Sequence, residues 1–211
     1  TVGYGDMVPV TPAGRIVGGA LIIVGFSSFS LFTGLIASLM VEEKLKGARG
    51  LKPIKDRGHT VVCGWNDTAF VMMQTFADKG IDESIVLVGN YPTEFFGDLE
   101  AKFPTLKLRF VRGDYALKEI LQRAGVTTAG QVIVLADENL PEQGADDRSV
   151  IVANAIRFLS KTVPLTVQLV HRSSRTHLDN CAVDNVIIFG ELGGNLLANN
   201  VLNQHYVSLL E

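Results

Sequence analysis

The chain has 211 residues, 47% of them apolar, and 19 basic against 22 acidic side chains give a formal charge of −3. That length fits one or two domains, and the charge leaves no electrostatic footprint for nucleic acid, so no nucleic-acid partner is expected. Cys63 and Cys181 lie far apart with no C-x-x-C metal or redox spacing; both suit a reducing compartment, where free cysteine acts as a small buried apolar side chain.

The first six residues are Thr1-Val2-Gly3-Tyr4-Gly5-Asp6. Read as TVGYG, they form a potassium-selectivity filter. The backbone carbonyls of Thr1, Val2, Gly3 and Tyr4, with the Thr1 hydroxyl, replace the hydration shell of K⁺ on an axis shared by four subunits. Carbonyls that point the same way in succession need positive φ at alternate positions, which glycine supplies without a Cβ clash. A Gly-rich turn is the other reading of so short a motif, and the residues after Asp6 decide between them. Residues 6–15 are Pro-rich and turn-forming, and residues 16–41 then run 26 positions without a charge. At ~1.5 Å per residue that run reaches about 39 Å, enough to cross a ~30 Å hydrocarbon core with some tilt. Lys44, Lys46, Arg49, Lys52, Lys55 and Arg57 come next, against Arg15 alone on the other side. This basic excess places the C-terminal flank in the cytoplasm. A filter outside, one helix inward and a long cytoplasmic remainder is the order of a potassium channel, and the turn reading loses. Because the chain opens inside the motif, it is expected to be a fragment whose outer helix and pore helix lie elsewhere in a longer protein.

From Thr1 to Gly25 the sequence resembles the pore of prokaryotic potassium channels gated by cytoplasmic ligand-sensing domains. Gly25 falls where the inner helix of that family has its gating hinge. An interior glycine weakens a helix by about 0.5–1 kcal/mol relative to alanine, which suits a bending point. Close helix packing is the alternative, a role expected of Gly18, Gly19 and Gly34. Ser27, Ser28, Ser30 and Thr33 either return their hydroxyls to helix carbonyls or face a wet cavity. Residues 47–57 (GARGLKPIKDR) read as a linker of glycines, one proline and charges, spanning at most about 35 Å when extended.

From His59 onward, short apolar runs alternate with helical patterns, as in a parallel sheet covered on both faces. Strands are predicted at 60–63, 85–88, 108–111, 131–135, 165–170 and 185–189. Helices are predicted at 68–79, 93–102, 116–124, 147–159, 175–181 and 193–210. Phe70, Met73, Phe76 and Ala77 recur at helical spacing and are expected in the core. The fold class is therefore α/β: a Rossmann-like parallel six-stranded sheet with helices on both faces, preceded by one transmembrane inner helix of a tetrameric K⁺-channel pore. The expected domains are 1–46, the filter and pore-lining helix; 47–57, the linker; 58–190, the Rossmann-like regulatory domain; and 191–211, a dimerisation helix.

HTVVCGW at 59–65, FVRGD at 110–114 and the stretch from Asp147-Arg148-Ser149 to Val186-Ile187 resemble the RCK (regulator of potassium conductance, or TrkA-N) family. The resemblance implies a subunit of a tetrameric K⁺-selective channel in the cell's inner (plasma) membrane, not an enzyme, with K⁺ as the permeant ion and the RCK domain in the cytoplasm. It implies a homotetramer through the pore, embedded in the lipid bilayer, and RCK–RCK dimers within a gating ring. The dimers would form through Leu196, Leu197, Val201 and Leu202 on the helix after the last strand, and the family usually has a second lobe beyond it. A nucleotide-binding regulatory subunit of a K⁺ transport system is an alternative. So is a membrane-anchored NAD-dependent oxidoreductase, which would need a substrate domain with acid–base groups.

The resemblance also implies a regulatory ligand, either a nucleotide (NAD or ADP) or Ca²⁺. In the turn Gly64-Trp65-Asn66-Asp67-Thr68-Ala69, Gly64 and Ala69 fit the dinucleotide fingerprint G-x-G-x-x-G/A, while Asn66 replaces the glycine that lets backbone approach a pyrophosphate. Asparagine tolerates the left-handed conformation better than most residues. Asn90, after Gly89, stands where an acidic ribose-binding residue would end the second strand. Asp114 matches a family position that meets an adenine. A purely structural turn is the competing reading. For Ca²⁺, the family's glutamate positions correspond here to Gln168 and Val170, which argues against the same site. The acid-rich loop at 137–148, with Asp137, Glu138, Asp146 and Asp147, is a second candidate for a hard cation. Its competing reading is a solvated loop whose Asp146 or Asp147 caps the next helix. His171 and His177 are expected to be surface or packing residues.

Overall fold

The computed structural model describes residue 5, residues 8–48 and residues 50–202. The filter reading at Thr1, Val2, Gly3 and Tyr4 lies outside the described residues; Gly5 lies within them, at φ +74°. The chain divides into two compact units, Thr1–Gly47 and Ala48–Glu211.

The first unit is built on α1 (Pro12–Ala48), 37 residues and about 55 Å long at ~1.5 Å per residue. Thr11 caps it, its hydroxyl accepting from Gly14 N at 3.1 Å. Pro12 sits at the first helical position, where a missing N–H costs nothing. The helix outruns the apolar run at both ends, because Pro12 is pre-set for a first turn and Glu42 to Ala48 are mostly good helix formers. Its stretch Pro12–Glu42, of mean hydropathy 2.1, is long and apolar enough to cross a membrane. The helix passes unbroken through Gly25. Ser28 and Thr33 return their hydroxyls to the Val24 and Phe29 carbonyls at 2.8 and 2.9 Å, so these two take the first of their alternatives.

The second unit runs β1 (Thr60–Cys63), α2 (Asp67–Asp78), β2 (Ser84–Gly89), α3 (Thr93–Lys102), β3 (Lys107–Arg112), α4 (Lys118–Arg123), β4 (Gln131–Val134), α5 (Glu142–Leu159), β5 (Leu165–Leu169), β6 (Asn185–Ile188) and α6 (Phe189–Leu202). All pairings are parallel and the strand order is β3-β2-β1-β4-β5-β6. Side chains alternate across the sheet. Val61, Cys63, Val86 and Val88 pack with Leu121 of α4 and with Val152 and Ile156 of α5. Val62, Ile85 and Leu87 pack with Met73 of α2 and with Phe96 and Leu99 of α3. Met73 is buried as expected, while Phe70, Phe76 and Ala77 flank it half-buried.

Three helices depart from expectation by four or more residues or in type, while α2 and α4 shift by one or two residues at their ends. The helix expected at 147–159 begins at Glu142, with Pro141 as its cap residue, so neither Asp146 nor Asp147 caps it. The segment expected as a helix at 175–181 is a 3₁₀ helix, Arg172–Leu178. The last helix starts at Phe189, directly after β6, and its expected end beyond Leu202 lies outside the described residues. The linker is also less free than its composition suggests. Gly50 O accepts from Arg112 N at 2.9 Å and Ile54 N donates to Arg123 O at 2.8 Å. Thr128 Oγ1 donates to Asp56 O at 3.2 Å and Gly58 N to Thr128 O at 2.9 Å. From Gly50 onward the segment is tied to the α/β domain.

Candidate functional site

The strand order reverses between β1 and β4, and open α/β sheets take ligands outside the carboxyl ends of such strands. Gly64 opens the turn after β1 at φ +89°, and a Cβ on it would lie 3.3 Å from both Leu135 O and the Tyr115 hydroxyl, so only glycine fits. Asn66 is extended (φ −157°, ψ −177°), not left-handed, and it caps α2 by accepting from Ala69 N at 3.1 Å. Its amide nitrogen donates to Ala136 O at 3.0 Å and to Gln168 Oε1 at 2.9 Å. Gln168 Oε1 also accepts from Ala136 N at 3.2 Å, and Gln168 Nε2 donates to Thr68 Oγ1 at 3.1 Å. Asn66 and Gln168 are 3% and 6% exposed. At that burial every polar atom needs a partner, and these two amides supply each other's.

A second group lines the same edge. Arg148 on α5 donates to Asp114 Oδ1 at 2.7 Å and stands 3.6 Å from Asp137 Oδ2. Its guanidinium stacks 4.5 Å over the Tyr115 ring, and the Tyr115 hydroxyl donates to Asp137 Oδ2 at 3.3 Å. Burial pushes the Tyr115 phenol well above its ordinary range, and Asp137 adds to the shift. Asp114 Oδ1 also accepts from Ala116 N at 2.9 Å. Across the turn, burial and then Asp137 push Tyr91 up to about 12. Its ring covers Gly89 so closely that a Cβ there would fall 2.1 Å from it, while Asn90 is exposed. Tyr91 and Trp65 both pack on Phe95, with ring centroids 4.7 and 5.5 Å away.

The third group is one contact: Glu138 Oε1 accepts from Asp67 N at 3.1 Å, placing an internal carboxylate at the positive end of α2. A dinucleotide in the usual pose needs its pyrophosphate at that helix end and close to backbone at the middle glycine. Here Asn66 fills the approach and its Oδ1 takes the Ala69 amide, Glu138 takes the Asp67 amide, and no acid ends β2. The residues do not fit NAD in that pose.

The four acids of the 137–148 segment do not converge. Asp146 is fully buried, accepting from Val170 N at 2.7 Å and His171 N at 3.0 Å, so it secures the end of β5. Asp147 is exposed and accepts from Gln143 at 3.4 Å, Asp137 faces Arg148 and Tyr115, and Glu138 reaches the first amide of α2. Because α5 begins at Glu142, Asp146 and Asp147 are committed to a helix, not to a cation-wrapping loop. Among the described residues no three His, Cys, Asp or Glu side chains come together to hold a metal ion. His171 pairs with Glu142 at 3.0 Å at the surface. Sequence reasoning passed over Tyr91, Tyr115 and Arg148. The signal for the two tyrosines was position: each comes within two or three residues of a strand's carboxyl end. Gln168 also carried a signal, as a polar side chain between the apolar Val167 and Leu169.

An ion-channel family model matches residues 1–42, and one for the calcium-activated potassium channel slowpoke-like RCK domain matches residues 55–167. The calcium-gated potassium channel TvoK of Thermoplasma volcanium is 25% identical over 206 residues, 96% of this chain and 57% of that protein. The putative potassium channel protein YugO of Bacillus subtilis is 26% identical over 206 residues, 98% of this chain and 59% of that protein. The chain thus spans somewhat more than half the length of these relatives. The GsuK channel bound to NAD superposes with a TM-score of 0.60 at 16% identity, over 88% of this chain and 32% of that one. GsuK bound to ADP gives 0.62 at 16% identity, over 89% and 47%. At that identity the likeness bears on the fold alone. The six-stranded parallel sheet accords with the RCK match, which takes in more than half of the residues, and the chain belongs to the calcium-activated potassium channel slowpoke-like RCK domain family.

Proposed function

We propose that the chain is part of a subunit of a tetrameric K⁺-selective channel whose RCK domain, on binding a ligand, biases the gate formed by the inner helix. The observation that carries this reading is covalent order: TVGYG, then one helix fit to span a membrane, then an RCK domain in the same chain. Thr1, Val2, Gly3, Tyr4 and Gly5 would form the filter and Gly25 the hinge of α1. Residues 1–46 form the pore part, 58–190 the sensor and 191–211 the pairing helix. Gly50, hydrogen-bonded to the sensor, is two residues from the end of α1, a gap of at most about 7 Å of chain. A displacement of the sensor therefore reaches α1 with little slack. A ligand acts only through a difference in affinity between two arrangements of the sensor assembly.

The assembly is a homotetramer through the pore, in the plasma membrane, with cytoplasmic RCK domains paired through α6. Leu197, Val201 and Leu202 on that helix are 71%, 80% and 78% exposed, as a face awaiting a partner would be. TvoK is named a calcium-gated channel and GsuK has been solved with NAD and with ADP, so Ca²⁺, NAD⁺ and ADP are the ligands to try. The test is planar-bilayer recording of the full-length protein with each added separately to the sensor side. A K⁺-selective current that one of them changes, and that Gly3→Ala abolishes or renders unselective, is the expected result. Currents indifferent to Gly3 would sink the reading.

A further inference from the structure

We propose that Glu138 is the specificity residue that keeps nucleoside phosphates out of the crevice, its carboxylate standing at the amino end of α2 where a phosphate would have to bind. The first amides of a helix and its positive end make a ready anion site. In this chain that site is filled from within. Glu138 Oε1 accepts from Asp67 N at 3.1 Å and Asn66 Oδ1 accepts from Ala69 N at 3.1 Å. The two acceptors differ in kind. Asn66 is neutral, buried and braced by Gln168 and Ala136, so it belongs to the turn's framework. Glu138 is exposed and charged, and repels an incoming phosphate at the point where helix charge would attract it. Arg148 does not offset this, because it is held by Asp114 and lies beside Asp137. Adenosine carries no such charge and feels no repulsion from Glu138.

The inference is independent of K⁺ conduction, and its readout is binding. Full-length protein in lipid nanodiscs is dialysed to equilibrium against radiolabelled ADP and, separately, adenosine, at low ionic strength. The wild type is expected to hold ADP no better than adenosine. Glu138→Gln, which keeps the shape and removes the charge, is expected to bind ADP at least about tenfold more tightly, with adenosine unchanged and the gain shrinking as salt is raised. Glu138→Ala repeats the measurement with the side chain removed, and matching thermal midpoints establish that both variants fold. A wild type that binds ADP as tightly as the two variants overturns the proposal, as does no gain in either, or an equal gain for adenosine.

Discussion

Asn66 shows how one side chain changes what a familiar turn can do. Its carbonyl oxygen caps α2 while its amide nitrogen reaches Ala136 and Gln168, so the turn, the β4 end and the β5 end are tied through a single buried group. Asn66→Ala removes a helix cap, worth about 1 kcal/mol. It also strands the buried Ala136 carbonyl, at about 1–3 kcal/mol more, while Gln168 Oε1 keeps the Ala136 amide. Urea denaturation should therefore show a loss of about 2–4 kcal/mol. Asn66→Asp keeps the cap but faces Gln168 Oε1 with a carboxylate oxygen, and should also destabilise. A neutral Asn66→Ala would mean that the amide network is incidental. Cys63 is inert for a related reason: complete burial pushes its thiol up to about 12.

At the scale of elements, the segment before β1 behaves as part of the domain. Gly50 sits at φ +66°, and a Cβ on it would lie 2.8 Å from Arg112 N and 3.1 Å from Phe110 O. Gly80, after α2, has a nearly equal φ of +63° but nothing within 4 Å of a Cβ. Gly50→Ala and Gly80→Ala therefore share the backbone penalty, about 1–2 kcal/mol, and differ in the clash. Gly50→Ala is expected to cost at least about 1 kcal/mol more than Gly80→Ala in thermal or urea unfolding. Equal losses would indicate that residues 50–58 are held only loosely. The boundaries of α5 teach a similar lesson. Its first turn, Glu142-Gln143-Gly144-Ala145, is polar and glycine-bearing and reads as loop, yet the chain is helical there. Asp146 in the second turn binds two backbone amides at the end of β5, and that long-range bond outweighs weak local propensity.

For the whole molecule, the exposed apolar face of α6 is a prediction about assembly. Leu197→Glu combined with Val201→Glu places charge on that face while leaving the buried sheet untouched. The pore would hold the four subunits together in either case, so the readout is light scattering of residues 50–211 expressed without the pore segment. The double variant should run as a monomer where the wild-type sequence runs as a dimer, and an unchanged mass would show that α6 does not pair. The six strands, their parallel pairing and the long apolar helix were legible in the sequence, because apolar period, run length and glycine placement act over a few residues, whereas the strand order came only with the structure. Strand β1 and helix α3 agree with the sequence to the residue. The crevice was legible only in outline. Gly64 and Asn66 stood out, yet the partners that decide their roles come from far along the chain. Gln168 is 102 residues from Asn66, Glu138 is 71 from Asp67 and Arg148 is 34 from Asp114. Local pattern determined which elements form and that the chain carries a filter motif, a membrane-length helix and an RCK domain. Tertiary structure alone decided that the turn after β1 is closed by its own amides and an internal carboxylate, because the register of β1, β4 and β5 is what brings those side chains to one edge.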